Sequence, residues 1–238
     1  MKALRFLWLI ALIQFPAAMA QAPGIVEAAG RTSPGDIMIS EAESVTDIEG
    51  NVYKTVRIGN QIWMVENLKT TKLNDGQSIP CVTDDASWSN LETPGYCFYN
   101  NDSANKDPYG ALYNWHAVNT GKLAPQGWHV PTDAEWTILT NTLGGEETAG
   151  GEIKEKGFAH WVLPNTGANN STGFSALPSA GRGGNGGWGR LAYYANFWTS
   201  TESSATNAWR RHLVNDDRNV RRDNGSKGMG FSVRCIKD

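Results

Sequence analysis

The sequence has few of the residue types that build metal and redox centres. Of its 238 residues, three are cysteines and four are histidines. No two histidines are spaced as His-x-x-x-His, and none has a cysteine close by, so zinc-ligand spacing is missing. Ser179 lacks the glycine two residues before it that a nucleophile elbow requires. We therefore assign no metal-ligating and no catalytic residues.

Long apolar runs are also scarce. The one that stands out, from Phe6 to Ile13, is shorter than the ~20 residues that cross a bilayer. It follows a basic start and precedes Ala18-Met19-Ala20, the order of regions in a signal peptide. We predict that residues 1–20 are a signal peptide and that no segment spans a membrane. The protein is then expected to be secreted or held at the cell surface, with the periplasm as the alternative.

Neither sign of charge is in large excess, since the formal net charge is −3. Two of the 21 basic residues, Lys2 and Arg5, lie in the leader, so 19 basic and 24 acidic residues remain after cleavage. A mildly acidic chain argues against nucleic acid as the partner.

Glycine and tryptophan, in contrast, are abundant, with 26 and 10 residues respectively. Many glycines together with many large rings indicate a loop-rich α+β domain with an aromatic core. Residues 21–50 are rich in Ala, Gly, Ser, Pro and Glu, which is typical of a linker. We predict one domain over residues 51–238.

Two stretches carry strong local signals. Val52–Ile58 and Gln61–Val65 alternate on either side of Gly59-Asn60, which predicts a β-hairpin. Thr132 and Glu135 have the spacing of a capping box and precede an apolar helical stripe, which predicts a helix over residues 133–143. Weaker patterns predict helices at 109–118 and 146–156 and strands at 174–178, 197–200, 208–214, 219–222 and 231–236.

Ligand recognition is predicted on the glycine-rich and asparagine-rich loops of the second half. Glycine lets a loop approach a ligand closely, rings offer flat apolar faces, and polar side chains orient the ligand. The alternative is that the rings cover the sheet, which we favour for Trp161. The candidate ligand-binding residues are Asn165, Asn170, Trp188, Arg190, Tyr193, Tyr194, Arg210 and Asp216.

Two further interpretations of these loops stay open. Asn165, Asn170 and Asp216 supply oxygen atoms of the kind that calcium prefers, although turn formation explains them more simply. Calcium is therefore the one cofactor that the sequence leaves open. Arg210 and Asp223 belong to an alternation of opposite charges over two predicted strands, which indicates cross-strand ion pairs. A site for an anionic ligand is the alternative.

Seven sequence blocks follow one another in a recognisable order: Asn67-Leu68, residues 109–115, residues 127–132, Glu135-Trp136, residues 173–178, residues 198–202 and residues 232–236. Together they resemble the Fibrobacter succinogenes major paralogous domain, and the resemblance covers nearly all of residues 52–238. That family occurs in exported proteins and has no established biochemical function.

Pro131-Thr132-x-x-Glu135-Trp136 and the closing residues 230–235 are more distantly similar to formylglycine-generating enzymes and C-type lectin-like domains. This resemblance implies two main helices around a small, twisted, mostly antiparallel sheet with long loops. Formylglycine-generating enzymes use a cysteine pair in the active site. Here Cys235 lies in the last predicted strand with no second cysteine near it in sequence, which argues against an oxidase activity.

The family resemblance also places cysteines at two positions of this chain. It implies a disulfide between Cys97 and Cys235, with Cys81 free. The competing bridge joins Cys81 to Cys97.

Two functional hypotheses follow. The first is an exported, non-catalytic recognition module that binds an extracellular glycan or protein. The second is an enzyme related to formylglycine-generating oxidases. An aromatic-lined face favours the first hypothesis, and a cysteine pair in a pocket favours the second. The sequence does not indicate an oligomeric state.

Overall fold

This computed structural model describes residues 37–238, which fold into short helices and antiparallel sheets joined by loops. This mixture is α+β, as the sequence predicts. The strands are β1 (Ile39–Thr46), β2 (Val52–Ile58), β3 (Gln61–Met64), β4 (Tyr96–Cys97), β5 (Leu112–Tyr113), β6 (Trp128–His129), β7 (Tyr194–Glu202), β8 (Asn207–Val214), β9 (Arg221–Ser226) and β10 (Ile236–Lys237). The α-helices are α1 (Asp85–Ser89), α2 (Lys106–Tyr109), α3 (Trp115–Val118), α4 (Asp133–Thr142) and α5 (Glu146–Ile153). Two single 3₁₀ turns cover Tyr99–Asn101 and Ser103–Asn105.

The largest sheet has the strand order β1-β2-β3-β10-β6. The hairpin of β2 and β3 has the predicted turn and nearly the predicted bounds, so that prediction is confirmed. β10, the last strand of the chain, lies inside the sheet because Ile236 pairs with both Trp63 and His129. The other sheets are the pair β4-β5 and the three-stranded sheet β7-β8-β9.

β1 corrects the predicted linker of residues 21–50. It lies within that range and pairs with β2 at the edge of the large sheet. Edge strands with mostly exposed residues need no apolar alternation, and Val45 is the buried position of β1. The composition of residues 39–46 therefore resembles that of a linker. The predicted signal peptide and the start of the linker lie outside the described residues.

The corner before α4 forms as predicted. The Thr132 hydroxyl accepts from the Glu135 N–H at 3.2 Å, and the Glu135 carboxylate accepts from the Thr132 N–H at 2.7 Å. This capping box satisfies donors that the first turn of a helix otherwise leaves unpaired. Trp136 and Leu139 are buried on the inner face of the helix.

Four rings form the centre of one hydrophobic cluster. Trp136 lies 5.0 Å from Trp63 of β3, 5.5 Å from Phe197 of β7 and 5.8 Å from Phe174, measured between ring centroids. All four side chains are fully buried. The cluster therefore joins α4 to two separate sheets.

Three weaker predictions are wrong in part. Residues 109–118 do not form one helix: β5 comes first, and α3 begins only after Asn114, whose side chain caps it by accepting from the Ala117 N–H. Residues 174–178 form no strand, and only Ala176 makes an isolated pairing, with Lys154. The predicted final strand is reduced to β10, because Phe231 and Ser232 make only isolated pairings and residues 233–235 have no strand pairing. The predicted strands at 197–200, 208–214 and 219–222 correspond to β7, β8 and β9.

The predicted Cys97–Cys235 disulfide is not formed, and all three cysteines are free. Cys97 packs in a small cluster with Trp88 and Leu112, whereas Cys235 belongs to another cluster of the core. The competing Cys81–Cys97 bridge is not formed either. Burial raises the pKa of the Cys97 thiol to about 12 and also raises the pKa of Cys235.

Candidate functional site

A groove of about 410 Å³ lies where the 181–189 loop meets the three-stranded sheet. We call it the Trp188 groove. Volumes of this size are typical of small-molecule sites, which are concave and partly aromatic. Its lining residues are Ala180, Gly181, Arg182, Gly183, Asn185, Gly187, Trp188, Gly189, Tyr194, Asn196, Arg210, Met229 and Phe231.

The 181–189 loop folds back on itself as a tight turn. Gly183 N–H donates to the Gly187 carbonyl at 2.6 Å, and Arg182 pairs with Trp188 across the turn. Gly186 has a φ of 85°, which side chains rarely adopt, and a Cβ there would lie 2.6 Å from Asp85. Arg182 also exchanges two backbone hydrogen bonds with Gly230, each 2.8 Å long. The loop is therefore fixed to the body of the domain.

The Arg182 guanidinium holds this loop from inside. It is fully buried between two rings, 4.7 Å from the centroid of Trp88 and 4.8 Å from that of Trp188. It donates to the carbonyls of Val82 at 2.7 Å and Thr83 at 3.0 Å. Its remaining partners are the Gly186 carbonyl and the Asp85 carboxylate.

Trp188 is held by two neighbouring side chains, Arg182 and Tyr99. Arg182 covers one face of the ring, and Tyr99 makes an edge contact at 5.4 Å. The Tyr99 hydroxyl donates to the Gly189 carbonyl at 3.0 Å, which adds a second support for the loop. Trp188 is half-buried and lines the groove, so part of the ring is open to a ligand. A ring held in this way loses little freedom on binding.

Asn196 of β7 and Arg210 and His212 of β8 form a hydrogen-bonded set of polar side chains at the groove, which we call the polar wall. The Asn196 side-chain oxygen accepts from Arg210 and from His212 Nδ1, the latter at 2.7 Å. The Asn196 amide donates to the Ala180 carbonyl at 2.8 Å. The ring of Tyr194 stacks on His212 with centroids 5.5 Å apart. These contacts position the polar groups before any ligand arrives.

His212 is neutral in this wall. Burial lowers its pKa to about 4, and the positive charges of Arg210 and Arg221 add to that effect. Because the amide oxygen of Asn196 can only accept, the proton lies on Nδ1 and Nε2 remains an acceptor.

We expect His212 to reduce stability in acid. Its pKa is lower in the folded protein than the ordinary 6.5, so the unfolded chain binds more protons between about pH 6.5 and 4. The free energy of unfolding should therefore fall as the pH falls through that window. The expected loss is up to about 3 kcal/mol, because a pKa difference of one corresponds to about 1.4 kcal/mol. Urea melts at several pH values should show a smaller loss for His212→Gln than for the unchanged protein. Equal losses would contradict a neutral, buried His212.

Three of the candidate residues come together in the groove: Trp188, Tyr194 and Arg210 line it. Arg190 and Tyr193 lie close to these residues in the sequence but do not line the groove. The exposed Arg190 guanidinium lies 3.8 Å from the centroid of the Tyr193 ring. The predicted cross-strand ion pair between Arg210 and Asp223 is confirmed at 2.7 Å.

The other three candidates, Asn165, Asn170 and Asp216, do not line the Trp188 groove. The buried Asn165 donates to the carbonyls of Glu155 at 2.9 Å and Gly157 at 2.7 Å. Asn170 donates to the Ser175 hydroxyl at 2.8 Å. Both asparagines have positive φ and hold turns. Asp216 is exposed and is not among the groove residues.

Lys154 explains the carbonyl-rich loops around these residues. Its fully buried ammonium donates to the carbonyls of Thr166 at 3.0 Å, Val214 at 3.1 Å and Asp217 at 2.6 Å. It also lies 5.4 Å from the centroid of Trp161, which is buried as expected. Among residues 37–238, no three Asp, Glu, His or Cys side chains are grouped as a metal site.

Sequence reasoning missed Arg182 and Asn196 as site residues. Arg182 lies in a glycine-rich run that formally matches Gly-x-Gly-x-x-Gly. A single charged residue among glycines was the sequence feature that could have marked Arg182 as a site residue. Asn196 gave no local signal, because its role depends on partners 14 and 16 residues away on β8.

An α+β domain with an aromatic groove beside a glycine-rich loop is the class of protein that this fold and site define. The chain matches the Fibrobacter succinogenes major domain over residues 56–237, and it belongs to that family. No curated protein and no solved structure matches the chain. None of the helices in the described part of the chain has the length and apolar character needed to cross a membrane.

Proposed function

We propose that this protein is an exported, non-catalytic recognition module that binds a glycan in the Trp188 groove. The observation that carries the proposal is the half-buried Trp188 ring, which packs on Arg182 and lines the same groove as Asn196 and Arg210. Flat apolar rings beside fixed hydrogen-bonding groups suit the alternating apolar and hydroxyl faces of a sugar.

The predicted leader of residues 1–20 supports the export, and N-terminal sequencing of protein recovered outside the cytoplasm tests it.

Two glycines of the groove support this proposal, because neither the backbone conformation nor the packing at these positions requires glycine. Gly187 and Gly189 lack positive φ, and a Cβ added there would have its nearest neighbours at 3.2 and 3.4 Å. Alanine would thus fit at Gly189 with ordinary contacts and at Gly187 with a small adjustment. Their lack of side chains leaves room for a ligand to approach the backbone.

The size of the groove favours a glycan over a protein partner. Stable protein interfaces bury about 800 Å² on each side, whereas a concave site of a few hundred Å³ suits a small ligand. A groove of about 310 Å³ beside β1 and β2 offers no aromatic ring among its lining residues. The Trp188 groove is therefore the better site for a sugar.

We further propose that the fold is C-type lectin-like. The return of β10 to the middle of the large sheet, the helices α4 and α5, and the long connection from α5 to β7 support this assignment. An experimental structure superposed on a C-type lectin-like domain would test it. The cysteines offer no support for the oxidase alternative, since Cys97 and Cys235 are buried in separate clusters and neither lines the groove.

Removing the Trp188 ring should greatly weaken glycan binding. We expect Trp188→Ala to weaken binding by about 30-fold or more, the usual effect of losing a central tryptophan worth about 2 kcal/mol. A glycan array identifies the bound sugars, and calorimetry with the strongest of them measures the loss.

Trp209→Ala is the matched control. Trp209 is also half-buried and precedes Arg210 on β8, so its side chain points to the opposite face of the sheet. There it contacts Arg222, whose guanidinium lies 3.5 Å from the ring centroid. Equal binding by both variants would refute the proposal, and so would unfolding of Trp188→Ala in a thermal melt. Binding of a protein from a host-protein array, lost in Trp188→Ala, would replace the glycan by a protein partner.

A further inference from the structure

We infer that the sugar bound in the Trp188 groove carries a carboxylate, as a uronic acid does. The inference rests on the proposed function and names its ligand class. It starts from the charged side chains of the groove: the lining includes two arginines, Arg182 and Arg210, and no aspartate or glutamate. The chain as a whole is acidic, so the groove differs in charge from the rest of the protein.

The carboxylates that pair with these arginines lie outside the groove. Asp85 binds Arg182 at 2.7 Å and Asp223 binds Arg210 at 2.7 Å, yet neither carboxylate belongs to the lining. Their side chains are 68% and 52% exposed, against 0% and 17% for the two arginines. Water therefore screens the acidic partners more than the buried guanidinium groups.

Arg182 also determines the charge that the free face of Trp188 tolerates. The guanidinium already occupies the inner face of the ring, 4.8 Å from its centroid. A second cation on the outer face would be repelled by the first and would find ring electrons already polarised inward. An anionic or neutral ligand has no such penalty, so the ring does not suit an ammonium group.

Arg210 supplies the donors for the carboxylate. Its guanidinium lies 5.1 Å from the centroid of Phe231 and is held by Asn196 and Asp223, one on each terminal nitrogen. Arginine has five N–H groups, so each terminal nitrogen keeps another donor. Among the described residues, Nε of Arg210 is buried without a hydrogen-bond partner, so the donors left for a ligand are those on the terminal nitrogens. A guanidinium that is already oriented and only partly satisfied is well suited to bind a carboxylate.

The test compares acidic polysaccharides with their carboxyl-reduced forms, which differ only in having a hydroxymethyl group in place of the carboxylate. Polygalacturonate, alginate and glucuronoxylan are suitable probes. We expect at least one acidic form to bind about tenfold or more tightly than its reduced form, as a charge-assisted hydrogen bond would provide. That preference should shrink between about 0.05 M and 0.5 M salt, because salt screens the attraction.

Two arginine variants locate the effect. Arg210→Met should lose the preference for the acidic form, whereas Arg222→Met removes the same charge from the opposite face of the sheet and should keep it. Arg210→Lys retains the charge and should keep part of the preference, which separates the loss of charge from a disturbed fold.

Four outcomes overturn the inference. Two of them are equal binding of the acidic and reduced forms and binding of neutral glycans alone. Either would refute the carboxylate but leave the proposed function intact, provided that binding still depends on Trp188. A preference retained in Arg210→Met would also refute it. Glycan binding that does not depend on Trp188 would refute both the inference and the proposed function.

Discussion

Replacing Trp136 with alanine should lower the free energy of unfolding by about 3–5 kcal/mol, as the loss of a buried tryptophan usually does. The ring is fully buried and lies within 6 Å of Trp63, Phe174 and Phe197. These three rings belong to different parts of the chain, so they cannot all close the space that the missing indole leaves. Aromatic pairs at such distances also contribute about 0.5–1.5 kcal/mol beyond their buried area.

Thr132→Ala provides a smaller reference change in the same helix. It removes one half of the capping box and should cost about 1 kcal/mol. Denaturant melts of both variants give the comparison, with the exposed Thr83→Ala as a neutral threonine substitution. If Trp136→Ala proved as mild as Thr132→Ala, the ring cluster would not be the centre of the core that we describe.

The second large effect is expected for Lys154→Met, which should destabilise the protein by about 3 kcal/mol. Methionine nearly fills the space of the lysine stem but leaves the carbonyls of Thr166, Val214 and Asp217 without their donor. Each buried acceptor that loses its partner costs about 1–3 kcal/mol, and methionine avoids the desolvation penalty of the buried ammonium, which reduces the sum. Burial lowers the pKa of Lys154 to about 8, so the ammonium is still charged at neutral pH.

Lys156→Met is the matched control for this change. Lys156 lies two residues further along the chain and is exposed, so its loss should change stability by less than about 0.5 kcal/mol. Urea melts of the two variants at pH 7 measure the difference. Equal stability of Lys154→Met and Lys156→Met would mean that the ammonium is not what joins the 165–167 loop to the end of β8.

The sequence predicted best those elements whose instructions are local. The capping box of α4 depends on Thr132 and Glu135, three residues apart, and the hairpin depends on the alternation around Gly59-Asn60. The α+β class followed from composition and from these patterns. Trp188, Tyr194 and Arg210 were predicted as candidates from residue type alone, and the structure places all three in one groove.

Asn165 and Asn170 hold turns, the simpler of the two explanations that the sequence offered for them. Other predictions failed where the outcome depends on distant partners. β1 looked like a linker because an edge strand with one buried side chain, Val45, has no apolar alternation. The predicted bridge between Cys97 and Cys235 is absent because the fold places the two thiols in different clusters.

Local sequence by itself determined the hairpin and the capped helix, because their hydrogen bonds and apolar contacts form between residues close in the chain. Only the tertiary structure decided the groove. Arg182 reaches Val82, 100 positions earlier, and Trp188 packs against the ring of Tyr99. Such contacts appear only when sheets and loops from separate parts of the chain pack together, since no spacing within the glycine-rich run specifies which ring or carbonyl will lie beside it.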